Sequence, residues 1–255
     1  MRRLLIIALP LLLWPCGRGQ ELTQDPFVVE TCDSSATPLP GPERAKAAAE
    51  RVKPELEKAL KEKGLHFGDP VFLRAFKEEN VVELWVLKRE TKKYELFRTW
   101  PVARQSGVLG PKQAEGDGQV PEGFYFVPPE GMKPDSTFHL AFNIGYPNEY
   151  DQAHGRNGTF IMIHGNQVSI GCLAMTDAKI EEIYTLCDAA HKGGQAYFRV
   201  HVFPFRMTAE RMAKAETEGS EWLDFWKNLR EGYDYFEREG RPPDVSVKDG
   251  RYEFK

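Results

Sequence analysis

The stretch MIHGNQVSIGC, residues 162–172, holds a histidine and a cysteine, each beside a glycine. A cysteine attacks carbonyl carbon as its thiolate, and a free thiol near neutral pH is mostly protonated, so it needs a base or an electropositive neighbour. His164 is the base within loop reach of Cys172. It stands just past an apolar strand-like run, TFIMI, where side chains emerge from a sheet into a loop. Gly165 gives the chain room to turn. Gly171 removes a side chain beside the thiol, which lets nearby backbone N–H groups face a developing oxyanion. A helix predicted from Asp177 to His191, with Thr176 as its N-cap, puts its positive end a few residues beyond Cys172. These parts suit amide cleavage through a thioester. The plainer alternative is a buried, inert cysteine that follows a histidine by chance.

Other chemistry-bearing residues make weaker patterns. His154, Cys172, His164 and His201 lack the tight paired spacing of a zinc site. His154 precedes the strand that delivers His164, roughly 17 Å away along a straight strand, and reads as a loop residue. His201, in FRVHVF, and His139 read as satisfied sheet histidines. The glycine-rich segment 107–123 has no phosphate-loop pattern and leads into no helix. It reads as a flap over a groove or as a solvated loop. No C-x-x-C is present, which argues against a thiol–disulfide oxidoreductase.

The elements that must position this pair are legible in outline. VFLRAF, VVELWVL and YELFRTWPV, separated by polar turns, predict a β-meander over 70–102. FYFV, FHLAF, TFIMI and AYFRVHVFPF predict further strands. Glu43–Lys63 has helical spacing of Ala45, Ala48, Ala49, Val52, Leu56, Ala59 and Leu60, with Pro54 as a candidate break. Ile180, Ile183, Tyr184 and Cys187 form one apolar stripe, and Trp222, Leu223, Trp226 and Leu229 another. The fold class is therefore β-rich α+β, with helices added late. One domain is expected over 43–240, after a lead-in or linker at 20–42 and before a polar, proline-bearing tail at 241–255.

The chain has 255 residues and a formal net charge of −4, which gives no support to a nucleic-acid footprint. Residues 1–19 pair a basic start, Arg2 and Arg3, with a short apolar run and Gly17-Arg18-Gly19, the pattern of a cleaved secretory signal peptide. Lipidation at Cys16 is the rival, disfavoured by Pro15, and a retained anchor would bring a membrane contact. Export to the periplasm or cell envelope implies an oxidising compartment. Losing Cys16 leaves Cys32, Cys172 and Cys187, an odd number, so at least one thiol stays free or pairs with another chain.

IMIHGN followed by SIGC resembles the active-site segment of the L,D-transpeptidase (YkuD-like) catalytic domain family, and CLAMTDAKIEEIYTL with YFRVHVFPFRM resembles its YafK-like branch. The resemblance implies a β-sandwich core, with Cys172 as the acylated nucleophile and His164 as its base. Gly165 would orient the imidazole through its carbonyl. Gly171 and Cys172 would supply oxyanion N–H groups, and Ser169 a supporting hydroxyl. Ile170 stands in place of a second motif histidine, and Ala174 where many members carry an arginine. Substrate-carboxylate binding would then fall to Arg156, Arg199 or Arg206, with Tyr125 and Tyr146 lining the groove. No cofactor is implied. The expected substrates are peptidoglycan stem peptides. The branch points to hydrolysis of the link between murein and a lipoprotein lysine, with L,D-transpeptidation as runner-up and a non-catalytic wall-binding module as the alternative of another class.

Overall fold

The computed structural model describes residues 39–255. The expected signal peptide, Cys16, Cys32 and most of the 20–42 lead-in lie outside the described residues. Along the chain come helix α1 (Gly41–Glu62), the meander β1 (Val71–Phe76), β2 (Val81–Lys88) and β3 (Lys93–Pro101), then β4 (Gly123–Val127), β5 (Met132–Lys133) and β6 (Ala141–Asn143). A short α2 (Glu149–Ala153), β7 (Met162–His164), β8 (Leu173–Ala174), α3 (Asp177–Lys192) and β9 (Phe198–Phe203) follow. Helices α4 (Ala209–Thr217) and α5 (Leu223–Glu239) precede a hairpin of β10 (Val245–Lys248) and β11 (Arg251–Phe254). Among the described residues no helix is long and apolar enough to cross a membrane.

Two sheets enclose the main core. The larger has the order β3-β2-β1-β9-β4, and the smaller β5-β6-β7-β8. Strand period explains how they share it. Leu73 and Ala75 of β1, Tyr125 and Val127 of β4, and Val200 and Val202 of β9 meet Phe142 of β6, Ile163 of β7 and Leu173 of β8. The ring of Phe142 meets that of Phe198 edge-on at 5.3 Å. The opposite face of the large sheet is covered too. There Phe76 and Phe203 pack with Trp226 and Leu229 of α5 and with Tyr252 of the hairpin. Both faces of β1 are covered, so all six of its residues are buried. Such a strand reads as an apolar run rather than an alternation.

Helix α3 packs against β6 and β7 and against β1, and α1 packs on α3. Ala48, Leu56 and Leu60 of α1 are buried, and α1 runs unbroken through Pro54. The expected break does not occur, because packing holds the helix where proline removes a backbone donor. Arg51 of α1 donates to both carboxylate oxygens of Glu181 on α3, at 2.5 and 3.2 Å. His139 bonds the same carboxylate at 2.7 Å. Burial pushes the Glu181 carboxyl up, but His139 and Arg51 outweigh it and hold it at about 2.

The segment expected as a polar tail is instead folded. Asp249 and Gly250 have φ of +49° and +72°, the left-handed pair of a tight hairpin turn. Tyr252 is buried and exchanges backbone hydrogen bonds with the Asn228 side chain at 2.9 and 3.0 Å.

Candidate active site

The site lies on the outer face of the small sheet. Ala141 of β6 pairs with His164 of β7, Lys133 of β5 with Ala141, and Ala174 of β8 with His164. Laterally paired residues share a face, so Lys133, Ala141, His164 and Ala174 form one row across four strands. Along the chain the same face takes every second residue. Phe160, Met162 and His164 line a pocket of about 280 Å³ together with Cys172. Its remaining wall is Lys133 and the segment Asp135–Phe138. β7 and β8 run parallel, with Ile163 opposite Leu173. That register sets Cys172 beside Met162, one strand over and two residues along from His164. The thiol accepts from the Met162 N–H at 3.4 Å and points its own hydrogen at the Phe160 carbonyl, 3.6 Å away.

His164 is held in one tautomer. Its Nδ1 lies 2.6 Å from the Gly165 carbonyl oxygen. A carbonyl only accepts, so Nδ1 carries the proton and Nε2 is left with its lone pair. The Phe138 ring covers the imidazole at 4.8 Å between centroids. The residue after the histidine must be glycine. A Cβ there would lie 2.6 Å from Asp177 Oδ1 and 2.7 Å from the Phe138 carbonyl. Thr176 stands before α3 with φ of +80°, and its hydroxyl caps nothing. The expected cap is absent, and the segment before α3 is tied to the histidine loop instead: Asp177 Oδ1 accepts from the Asn166 N–H at 2.7 Å, and Met175 N–H donates to the His164 carbonyl at 2.8 Å.

Serine hydroxyls build the cysteine loop. Ser169 Oγ donates to the Cys172 carbonyl at 2.6 Å and accepts from the Cys172 N–H at 3.1 Å. Ser106 Oγ accepts from the Gly171 N–H at 2.7 Å. Gly171 has φ of +101°, with Gln119 O only 3.1 Å from where a Cβ would sit, so both conformation and space call for glycine. Both N–H groups expected to receive an oxyanion are thus engaged by hydroxyls in this resting state.

Electrostatics keep the pair uncharged at rest. Burial pushes the Cys172 thiol above its ordinary 9.0, opposed by the Met162 N–H and by Lys112. Burial likewise pushes the His164 imidazole below 6.5, opposed by the Gly165 carbonyl. Both directions favour a neutral thiol and a neutral imidazole near neutral pH.

The basic and tyrosine residues expected to bind substrate are engaged elsewhere. The side chain of Arg156 is nearly buried, donates to Asp151 at 3.0 Å and lies over Tyr150 and Phe225. Arg199 pairs with Asp244, and Arg206 with Glu83 at 2.6 Å over the Phe76 ring. The Tyr146 hydroxyl is buried and lies 3.1 Å from the Lys112 carbonyl. That of Tyr125 donates to Asp151 at 2.9 Å. None of these residues lines the thiol pocket. His154 stacks on Tyr150 at 4.1 Å, and His139 serves Glu181. His201 lies buried with no partner for Nδ1 among the described residues, so the expectation of a satisfied histidine is corrected. Cys187 is buried in the core and has no disulfide partner among the described residues.

The segment 107–123 is anchored at its flanks by buried charges, while Gln113–Asp117 between them are exposed. Lys77 Nζ donates to Gly110 O, Val120 O and Glu122 at 2.7 to 3.0 Å. Lys112 donates to Asp117 at 2.6 Å. What sequence reasoning missed is the wall contributed by Lys133 and Asp135–Phe138, and the Ser106 hydroxyl. The alternation Phe160, Met162, His164 was a usable signal. A two-residue strand such as β5 leaves none.

The family model described as the L,D-transpeptidase catalytic domain (YkuD) matches residues 82–213. The YafK protein of Escherichia coli (strain K12), named as a candidate L,D-transpeptidase, is 47% identical over 185 residues, covering 72% of this chain and 74% of that protein. YafK of Escherichia coli O157:H7 matches to the same extent, 47% identical over 185 residues. Among solved structures, the helical cell shape determining protein Pgp2 from Campylobacter jejuni is 16% identical, with a TM-score of 0.44 over 72% of this chain and 75% of that one.

Proposed function

Since the chain belongs to the L,D-transpeptidase catalytic domain family, whose members act on peptidoglycan stem peptides, we propose that it is an exported cysteine amidase acting through a Cys172 acyl-enzyme. Its bond would be the amide between the L-centre carbonyl of diaminopimelate and a protein lysine, the murein–lipoprotein link. The observation that carries the acyl-enzyme is Cys172 and His164 in one pocket, with Nδ1 bonded to the Gly165 carbonyl and Nε2 left basic. The choice of bond rests on the resemblance of residues 172–186 and 197–207 to the YafK-like branch.

In this mechanism His164 Nε2 takes the thiol proton as Cys172 Sγ bonds the carbonyl carbon. The oxyanion draws on the Gly171 and Cys172 N–H groups, which Ser106 and Ser169 yield as the carbonyl enters. The C–N bond breaks, and the imidazolium proton leaves on the amine. Water, deprotonated by the same Nε2, then attacks the thioester, releasing a carboxylate and the thiol. Phe138 over the imidazole keeps bulk water from the ring.

Transpeptidation, in which a second amine replaces water, shares the acyl-enzyme and is the reading favoured by the relative's name. Mass spectrometry separates the two. The mature protein is incubated with murein bearing lipoprotein peptide, and separately with a tetrapeptide donor and a tripeptide acceptor. Release of a peptide with a free lysine amine, lost in Cys172→Ala, supports hydrolysis. Loss of D-alanine with a new cross-link moves the activity to transfer. An unmodified Cys172 in both mixtures sinks the acyl-enzyme and leaves the wall-binding module.

A further inference from the structure

The geometry points to Lys133, assisted by Asp135, as the determinant that selects a substrate side chain ending in a free α-amino acid group. Lys133 would take its carboxylate and Asp135 its ammonium. This rests on the acyl-enzyme reading above and specifies what the same pocket recognises.

Three observations carry it. First, Lys133 lines the thiol pocket and stands in the lateral row that contains His164, separated from it by the methyl of Ala141. With strands roughly 4.8 Å apart and a rise of roughly 3.3 Å per residue, its backbone lies roughly 10 Å from that of His164 and about 16 Å, three strands over and two residues along, from that of Cys172. Second, its charge is unspent. Lys133 Nζ donates to one backbone carbonyl, Glu130 O at 3.0 Å. Among the described residues neither Lys133 nor Asp135 joins an ion pair, whereas Lys112 is committed to Asp117 and Arg156 to Asp151. Third, the other end of the row is closed to a cation, because Ala174 is fully buried.

The substrate's dimensions fit this spacing. In diaminopimelate the two α-carbons are four C–C bonds apart, about 5 Å when extended at about 1.5 Å per bond. The attacked carbonyl and the far carboxylate are six bonds apart. With the carbonyl at Cys172, that arm and the flexible lysine stem together span three strands. Asp135, two residues beyond Lys133, lines the same wall and would take the ammonium of the same carbon. A lysine in place of diaminopimelate offers the amine without the carboxylate and leaves Lys133 without a partner.

The test measures single-turnover acylation of Cys172 by intact mass. Three stem-peptide conjugates are used: one with the free D-centre carboxylate, one with that carboxylate as the carboxamide, and one with lysine replacing diaminopimelate. The expected wild-type preference for the free carboxylate is on the order of ten- to a hundred-fold, as for a hydrogen bond between charged groups. Lys133→Gln collapses that preference by slowing the carboxylate substrate alone, and Lys133→Arg restores most of it. Asp135→Asn slows the free-amine substrates by a few-fold, less because Asp135 is exposed. An unchanged preference in Lys133→Gln, or an equal fall on all three substrates, overturns the inference and leaves the acyl-enzyme standing. Absence of acylation in the wild type on every substrate defeats the acyl-enzyme itself, and this inference with it.

Discussion

The imidazole of His164 donates from Nδ1 to the carbonyl of its own neighbour, Gly165, at 2.6 Å. The imidazole is oriented by a backbone atom rather than by a carboxylate. A neutral acceptor stabilises imidazolium less than a charged one would. With the desolvation that lowers the imidazole below 6.5 and raises the thiol above 9.0, this sets the resting pair as two neutral groups.

A pH profile follows from those two directions. Imidazole must be neutral to accept a proton, and its pKa is lowered, so acylation persists below pH 6.5 and declines only as pH falls through the lowered value. The raised thiol supplies no thiolate near neutrality. Alkylation of Cys172 by iodoacetamide therefore climbs through pH 8 to 9 without a plateau near pH 6 to 7. A plateau there would show a thiolate–imidazolium pair at rest and refute the neutral assignment.

Ser169→Ala tests the cysteine loop. The hydroxyl bonds both the N–H and the carbonyl of Cys172, and removing it loosens the two peptide units that flank the thiol. Loss of one such side chain costs about 1 kcal/mol of stability. A misplacement of about 1 Å at the nucleophile costs up to about a hundred-fold in rate. The expected variant is thus nearly as stable in urea as the wild type and ten- to a hundred-fold slower in acylation, by this positional argument. Wild-type rates would reduce Ser169 to a loop residue of no consequence for the thiol.

The meander, α3 and the apolar face of α5 were legible because their periodicity is long enough to register, and His164 and Cys172 because their glycines mark backbone constraints. The pocket's far wall was not legible. Lys133 sits on a strand of two residues, and its place in the row with His164 depends on pairings across three segments that carry no local signature. The arginines named for substrate binding take part in ion pairs instead. Arg199 and Arg206 each sit near a carboxylate distant in sequence, which only the fold reveals, whereas Arg156 pairs with Asp151 five residues before it, across the end of α2. The hairpin was missed despite a usable signal: Asp249-Gly250 between Val245, Val247 and Tyr252, Phe254 is a tight-turn dipeptide flanked by alternating apolar residues.

Glu122→Ala should be among the more damaging substitutions outside the site. One carboxylate oxygen accepts from Lys77 Nζ at 3.0 Å and from the Gly110 N–H at 2.7 Å, and the other from Trp226 Nε1 at 2.8 Å. Glu122 is fully buried and Lys77 nearly so. Removing the carboxylate strands a buried ammonium and two further donors, a loss of about 3 to 5 kcal/mol. Urea unfolding of both proteins measures it. A loss under about 1 kcal/mol, the level of an exposed pair, would mean that water reaches Lys77.

His201 sets a pH dependence of stability away from the site. Its ring is buried edge-on between Phe72 and Phe124, at 4.6 and 4.7 Å, and Nδ1 has no partner among the described residues. Burial first, then Arg199 and Arg74, push its pKa well below 6.5. The unfolded chain takes a proton near 6.5 while the folded one stays neutral until far lower, so between those values the unfolded state binds more protons. Stability is therefore full above pH 6.5 and falls as pH drops toward the folded pKa, by up to about 1.4 kcal/mol per pH unit. His201→Phe keeps an aromatic ring among its neighbours and removes both the orphaned nitrogen and the titration. Urea midpoints at pH 7.5 and pH 5.0 should converge in the variant relative to the wild type, with His164 accounting for part of the residual slope. Equal slopes in the two proteins would show that His201 is protonated in the folded state at pH 5.0, contrary to its aromatic burial.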